Sequence, residues 1–417
     1  MKEMTFISII FILNQLFLFK TYSMKTLFIV TCLILSLIAI NAQTLKRIDG
    51  SEVSADSLVT KIEYLMKAAN VSGAGVSVFN ENKPVFRTTF GLADVQKKVP
   101  FTPNSVLYAC SLAKNVFAYI VMQLVQENKL ALDKPLVQYI NRPLVDIRIN
   151  GFRRGYQDLK NDKRIEKITA RMCLTHSTGF PNWRWLEPDK KLKIKFEPGT
   201  RYSYSGEGLF MLQYAIEQIT GKGLEQLSQE RVFVPFGMTS TSQIWQTKFD
   251  DKICYAHNAK GEPYELMKWD EASAGGSMST TLADYTKFYE AMIQGKGLNK
   301  KTFEDMTNPQ IRIRSKQQFG PDSWVDSTDN DAINLSYGLG VGVMKTPYGR
   351  AFFKEGHDDG LGHYTISFPD KKIAMIILTN NDNGESIFKE LLEYAIGDVY
   401  TPWRWENYIP YNSIAVN

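Results

Sequence analysis

The chain has 417 residues, 44% of them hydrophobic, 22% charged and 12% aromatic. That is a globular composition, long enough to bury a large core, and it excludes a disordered chain, a collagen-like chain or a small disulfide scaffold. Of the formal charge of +5, residues 1–42 carry +2 (Lys2, Lys20 and Lys25 against Glu3), and the near-neutral remainder has no Lys/Arg block, so no nucleic-acid partner is expected.

Two apolar runs open the chain. The second starts at Met24 and reads MKTLFIVTCLILSLIAINAQ: one Lys, an apolar stretch over residues 27–40, then Asn41-Ala42 before Gln43. This is the form of a secretory signal, with Met24 as the expected start and cleavage expected after Ala42. Each run is shorter than the ~20 residues of a membrane span, and a retained N-terminal tether is the alternative. The expected location is outside the cytoplasm, in the periplasm, with residues 43–417 as one domain. Cys110, Cys173 and Cys254 remain after the signal, an odd number without C-x-x-C, and the four His residues form no H-E-x-x-H. No disulfide framework, metal site or cofactor is expected.

Next in the chain, residues 73–90 read as a hairpin, two β-rich runs around the turn Asn80-Glu81-Asn82-Lys83. Residues 111–129 read as a helix whose middle, 116–122, is apolar on all sides and therefore buried. Between about 130 and 320 the pattern is long loops and helices, clearest over 210–219 and 282–294. Strands return over 337–344, 351–355, 364–368 and 373–379, and a last helix covers 386–396. Strands at both ends that pair into one antiparallel sheet, with a helical insertion between them, would satisfy every edge. The fold class expected is mixed α/β (α+β).

The sharpest chemical feature is Ser111-Leu112-Ala113-Lys114. A spacing of three on a helix puts both side chains on one face, with Ser111 at the end where the macrodipole favours negative charge. The apolar run after Lys114 should desolvate its amine, lower its pKa and leave it able to deprotonate the Ser. Ser386-Ile387-Phe388-Lys389 has the same pattern, but Ser386 follows Asn-Asp-Asn-Gly-Glu and reads as a helix N-cap. Two further segments carry candidate groups. Tyr202-Ser203-Tyr204-Ser205-Gly206 offers tyrosines, and Gly356-His357-Asp358-Asp359-Gly360 lies between two strands, where an ordinary polar turn is the alternative. Gly338-Leu339-Gly340-Val341-Gly342 lacks the helix of a phosphate loop. Trp183/Trp185 and Trp403/Trp405 read as packing residues, with the wall of an acyl pocket as the alternative for the first pair.

Seven segments in order carry a resemblance: SLAK (111–114), LTHSTGFP (174–181), EPGTRYSYSGEGL (197–209), VFVPFGMTST (232–241), SAGGSMSTTLADYTKF (273–288), YGLGVGV (337–343) and EGHDDG (355–360). Together they resemble the serine β-lactamase and penicillin-binding protein superfamily, nearest its class C β-lactamase-like branch of esterases and D-amino-acid peptidases. The resemblance implies a transpeptidase-like fold with Ser111 as the acylated nucleophile, Lys114 as its base and Tyr204 as the shared proton carrier. The oxyanion would be held by the N–H of Ser111 and one from the strand after His357. His176 would be structural, holding a loop beneath the site. The Lys/His-Thr-Gly element is best matched by His357-Asp358-Asp359-Gly360, which makes His357 a catalytic candidate and Gly360 a substrate-binding one. At the Asn position of Tyr-x-Asn stands Gly206, a substrate-side position without the amide. That departure, and an acidic pair that would repel a substrate carboxylate, turn the expectation from an efficient β-lactamase toward a secreted serine hydrolase. Its substrate would be a small ester, an amide or a peptidoglycan-like D-peptide. A β-lactamase and a non-catalytic penicillin-binding sensor are the alternatives.

Overall fold

The computed structural model describes residues 43–149 and 155–413. The signal sequence expected over 1–42 lies outside the described residues. Nine strands form one antiparallel sheet: β1 (Gly73–Asn80), β2 (Lys83–Asp94), β3 (Val99–Pro100), β4 (Ile311–Arg312), β5 (Ser336–Tyr337), β6 (Gly342–Thr346), β7 (Gly349–Asp358), β8 (Leu361–Phe368) and β9 (Ile373–Thr379). Their order across the sheet is β3-β2-β1-β9-β8-β7-β6-β5-β4. The N-terminal hairpin therefore joins the C-terminal strands through β1 and β9, with Ile376 opposite Ser77.

Both faces of the sheet centre are covered, which is why β9 reads as an unbroken apolar run. Ala374, Ile376 and Leu378 face one core with the helical region, and Ile373, Met375 and Ile377 face a second. The second core is closed by helix α1 (Ala55–Ala69) and the C-terminal helix (Phe388–Ile396), whose Leu58, Ile62, Leu391 and Leu392 are fully buried. Helix α1 is absent from the sequence reading, although Ser54 caps it by accepting from Ser57 N–H and its apolar spacing is helical. Ser386, read as an N-cap, is not one: its hydroxyl donates to Asn383 O at 2.6 Å, and the helix begins at Phe388 without a side-chain cap.

Between β3 and β4 lie the helices that carry the site. Helix α2 (Ala113–Gln126) is buried from Ala113 to Leu124, so it runs through the first core with no solvent face over that length. Helix α3 (Gly206–Thr220) and helix α4 (Leu282–Ile293) pack into the same core.

Candidate active site

Ser111 stands in a single 3-10 turn, Cys110–Leu112, that runs straight into α2. Ala109 N–H donates to Met278 O at 2.8 Å, and Leu107–Tyr108 pairs with Ser279–Thr280, so the turn is tied to the segment that follows Gly275. The bend falls on Cys110, whose φ of 50° is left-handed and is tolerated by a non-glycine residue only where the surroundings hold it. Burial pushes the Cys110 thiol far up, which makes it a packing residue and no rival nucleophile.

Lys114 is 2% exposed, and its Nζ donates to Ser111 Oγ at 2.8 Å and to Gly275 O. Burial pushes its pKa well down, and the nearby Lys354 ammonium pushes the same way against the opposing pull of Glu355. The result is an amine ready to accept a proton, one turn along the helix from the hydroxyl that would give it up.

Tyr204 closes the site from the other side. Its phenol accepts from Lys354 Nζ at 3.3 Å, and the Ser111 hydroxyl is near enough to help hold the phenol's pKa down. Burial raises the phenol's pKa, while Lys354 and the hydrogen bonds draw it back. His176 sits behind this ring at 4.3 Å between centroids, and its Nδ1 accepts from Ser205 N–H at 3.1 Å. Burial, Lys354 and Lys114 hold His176 well below the ordinary imidazole range, so it is neutral and positions Tyr204.

Lys354 was missed in the sequence. It is fully buried on β7, and its Nζ also donates to Glu355 Oε1 at 2.7 Å and Glu355 O at 2.9 Å. Burial opposes its charge, but Glu355 and Tyr204 outweigh that and raise its pKa. Gln318 Nε2 donates to the same Glu355 oxygen at 2.7 Å. Strand β6 pairs with β7 only as far as Phe353, so the edge beyond it, from Lys354 on, is free to lie against the Ser111 turn. Gly356 makes this approach: a Cβ there would sit 3.1 Å from Ala109 O and 3.3 Å from Leu112 N. A Lys-Glu pair directly after the apolar run Ala351-Phe352-Phe353 was the available signal, since a buried strand keeps charges only where they are paired.

Lys354-Glu355-Gly356 therefore takes the place sought at His357-Asp358-Asp359-Gly360, three residues upstream. The His357 side chain is 68% exposed and bonds Glu385 at 2.9 Å instead of meeting Ser111 or Lys114. Gly360 lies in the tight turn between β7 and β8 with φ 70°, and its N–H donates to Asp382 at 2.7 Å. The polar-turn alternative holds for that residue. Gly206 also differs from its expected place on the substrate side. It begins α3 beneath Trp183, and a Cβ on Gly206 or Gly275 would overlap that indole.

Trp183 thus fills the notch between two glycines. Its ring stacks on Trp185 at 4.9 Å and lies 5.8 Å from Lys114 Nζ. The loop that carries it is pinned by Arg184, whose guanidinium forms a two-point pair with Glu207 at 2.9 and 2.7 Å, both side chains at most 2% exposed. A cleft of about 400 Å³ opens there, with Tyr108, Trp185, Trp269 and Asp358 in its walls.

The sequence profile of the Beta-lactamase family matches residues 58–396. The chain belongs to the Beta-lactamase family. Among curated relatives, a D-aminopeptidase of Brucella anthropi is 27% identical over 363 residues, 83% of this chain and 64% of that protein. The putative penicillin-binding protein PbpX of Bacillus subtilis is 25% identical, with 60% of this chain and 62% of that protein covered. The chain thus spans less than two thirds of the length of both relatives. Two solved structures show the same fold. The octameric penicillin-binding protein homologue from Pyrococcus abyssi has a TM-score of 0.63 at 20% identity, over 79% of this chain and 74% of that one. The D-alanine carboxypeptidase AmpC from Burkholderia cenocepacia has 0.61 at 18%, over 78% and 93%.

Proposed function

We propose that the protein is a serine hydrolase that works through an acyl-enzyme on Ser111, with D-amino-acid amides or peptides and small esters as its substrates. The observation that carries the reading is the 2.8 Å contact of Ser111 Oγ with a Lys114 amine whose pKa burial pushes well down. Lys114 takes the hydroxyl proton as Oγ attacks the carbonyl carbon. The oxyanion that forms is met by the Ser111 N–H at the head of α2 and by an N–H of the free β7 edge beside Gly356. Collapse breaks the bond to the leaving group, which receives a proton through Tyr204. Water then attacks the acyl-serine, giving its proton to the same Tyr204–Lys114 pair, and the acid product leaves with Ser111 restored. Lys354 holds the Tyr204 phenol in this path and keeps Lys114 neutral by like charge.

The carboxylate of Asp358 at the end of β7, without a salt-bridge partner among the described residues, favours substrates without a carboxylate there, which argues against a β-lactam. The place of action is outside the cytoplasm, after removal of residues 1–42. N-terminal sequencing of the native protein checks this, with Gln43 expected first and a retained Met1 or Met24 contradicting it. The activity is tested by hydrolysis of a short-chain aryl ester. Ser111→Ala should lose at least ~10³-fold in kcat, because nucleophile and base act as a unit. Undiminished hydrolysis in the variant would refute the mechanism.

A further inference from the structure

The cleft beside Ser111 combines aromatic faces with one carboxylate. Tyr108, Trp183, Trp185, Met267 and Trp269 line it, and Asp358 is its single charged lining residue among the described residues. Two of its wall residues connect it to the turn that carries the nucleophile. Tyr108 stands three residues before Ser111, and a Cβ on Gly276, also in the wall, would sit 3.3 Å from Cys110 O. The rings are set in place: Trp183 fills its glycine notch and packs tilted against Phe210 at 5.2 Å, and Tyr108 and Trp269 meet at 6.0 Å. Asp358 ends β7, the strand whose free edge passes the Ser111 turn, and His363 Nε2 bonds Tyr108 O at 2.9 Å, fastening the neighbouring strand to the same wall.

Such walls suit an ammonium group doubly. Ring faces attract a cation through their quadrupole, and a carboxylate supplies the counter-charge. An α-ammonium lies only two bonds from the carbonyl it accompanies, so a subsite for it must adjoin the nucleophile, as this cleft does. A carboxylate at the same point of a substrate would meet Asp358 with like charge, and an acylated amine would have lost the charge the site is built to hold.

We propose that this cleft is an acyl-side subsite for an aminoacyl group with a free α-ammonium, held at Asp358, its side chain lying against the indoles of Trp183 and Trp185. The inference rests on the acyl-enzyme reading above and deepens it: the hydrolase selects substrates by a free amine on the acyl side, as an aminopeptidase does, and not by a carboxylate on the leaving side.

The test compares D-phenylalanine 4-nitroanilide with its N-acetyl form, using the full chain and its Asp358→Asn variant. The free amine should be preferred by roughly 10- to 100-fold in kcat/KM, mostly through KM, and the variant should bring that ratio below about threefold. An N-acetyl substrate cleaved as well as the free amine, or a ratio untouched by Asp358→Asn, overturns the proposal. If aryl-ester hydrolysis still depends on Ser111 in that case, only the subsite falls; if it does not, the acyl-enzyme reading falls with it. Should neither anilide turn over, tryptophan fluorescence decides. Saturable quenching by D-phenylalaninol that weakens at least tenfold in the variant supports the subsite, and absence of saturable quenching refutes it.

Discussion

Lys354 is the residue on which stability and chemistry meet most directly. Lys354→Met keeps the length of the side chain and removes its charge. In the native site the ammonium touches Glu355 Oε1 at 2.7 Å and Tyr204 Oη at 3.3 Å with no exposure to water. Without it, Glu355 (9% exposed) keeps a hydrogen bond from the neutral Gln318 but has lost its cation. A buried charge left without its partner costs about 3–5 kcal/mol, and the Gln318 bond should hold the loss to about 3 kcal/mol. Urea denaturation reads that loss. The double variant Lys354→Met/Glu355→Gln should recover at least half of it, since no charge is then stranded. The kinetic consequence has a definite sign. Lys354 pushes the Lys114 pKa down, so its removal lets that pKa rise, and the acidic limb of kcat/KM, which requires a neutral Lys114, moves to higher pH. A variant within about 0.5 kcal/mol of the parent, with its acidic limb unmoved, would show that Lys354 is not joined to Glu355 and the nucleophile pair as described.

Three further outcomes are expected. Glu207→Gln strands the Arg184 guanidinium in the core, should destabilise by about 3–5 kcal/mol in urea, and should blue- or red-shift the fluorescence of the Trp183–Trp185 stack that the loop carries. Gly356→Ala puts a methyl 3.1 Å from Ala109 O and should lower aryl-ester kcat at least tenfold by pushing β7 off the Ser111 turn, with a stability cost of about 1–3 kcal/mol. His357→Ala should leave ester hydrolysis within twofold. The Glu385 bond raises the His357 pKa to about 8, so the pair stabilises fully below the unfolded value near ~6.5 and loses its effect as pH rises through about 8. At an exposed site that contribution is under about 1 kcal/mol, and thermal denaturation of parent and variant should differ at pH 6 and coincide at pH 9.

What the sequence made legible follows from what each signal depends on. Ser111 and Lys114 are close in the chain and meet through helix periodicity alone. The strands over 73–80 and 373–379 were visible because burial on both faces leaves them largely apolar, and their pairing followed from the need to close both edges. The third element of the site was misplaced because its function is set by register. Lys354 and His357 lie on one strand, and only the pairing of β7, ended by β6 at Phe353 and turned at Gly360, decides which of them reaches Tyr204. The missing amide at Gly206 could be read directly, whereas the indole that takes its space comes from a residue 23 positions away on a loop fixed by a buried ion pair. Helix α1 needs no tertiary information to be legible, since its Ser54 cap and helical apolar spacing are both local.

The central claim is that Ser111 becomes acylated with Lys114 as its base. Its most direct test is intact-mass and peptide mapping of the protein quenched within its first turnovers on an activated aryl ester. The account predicts one acyl group per chain, on the peptide that contains Ser111, absent in Ser111→Ala and slowed by orders of magnitude in Lys114→Met. An acyl group mapped to any other residue, or full turnover with Ser111 never acylated, would contradict it.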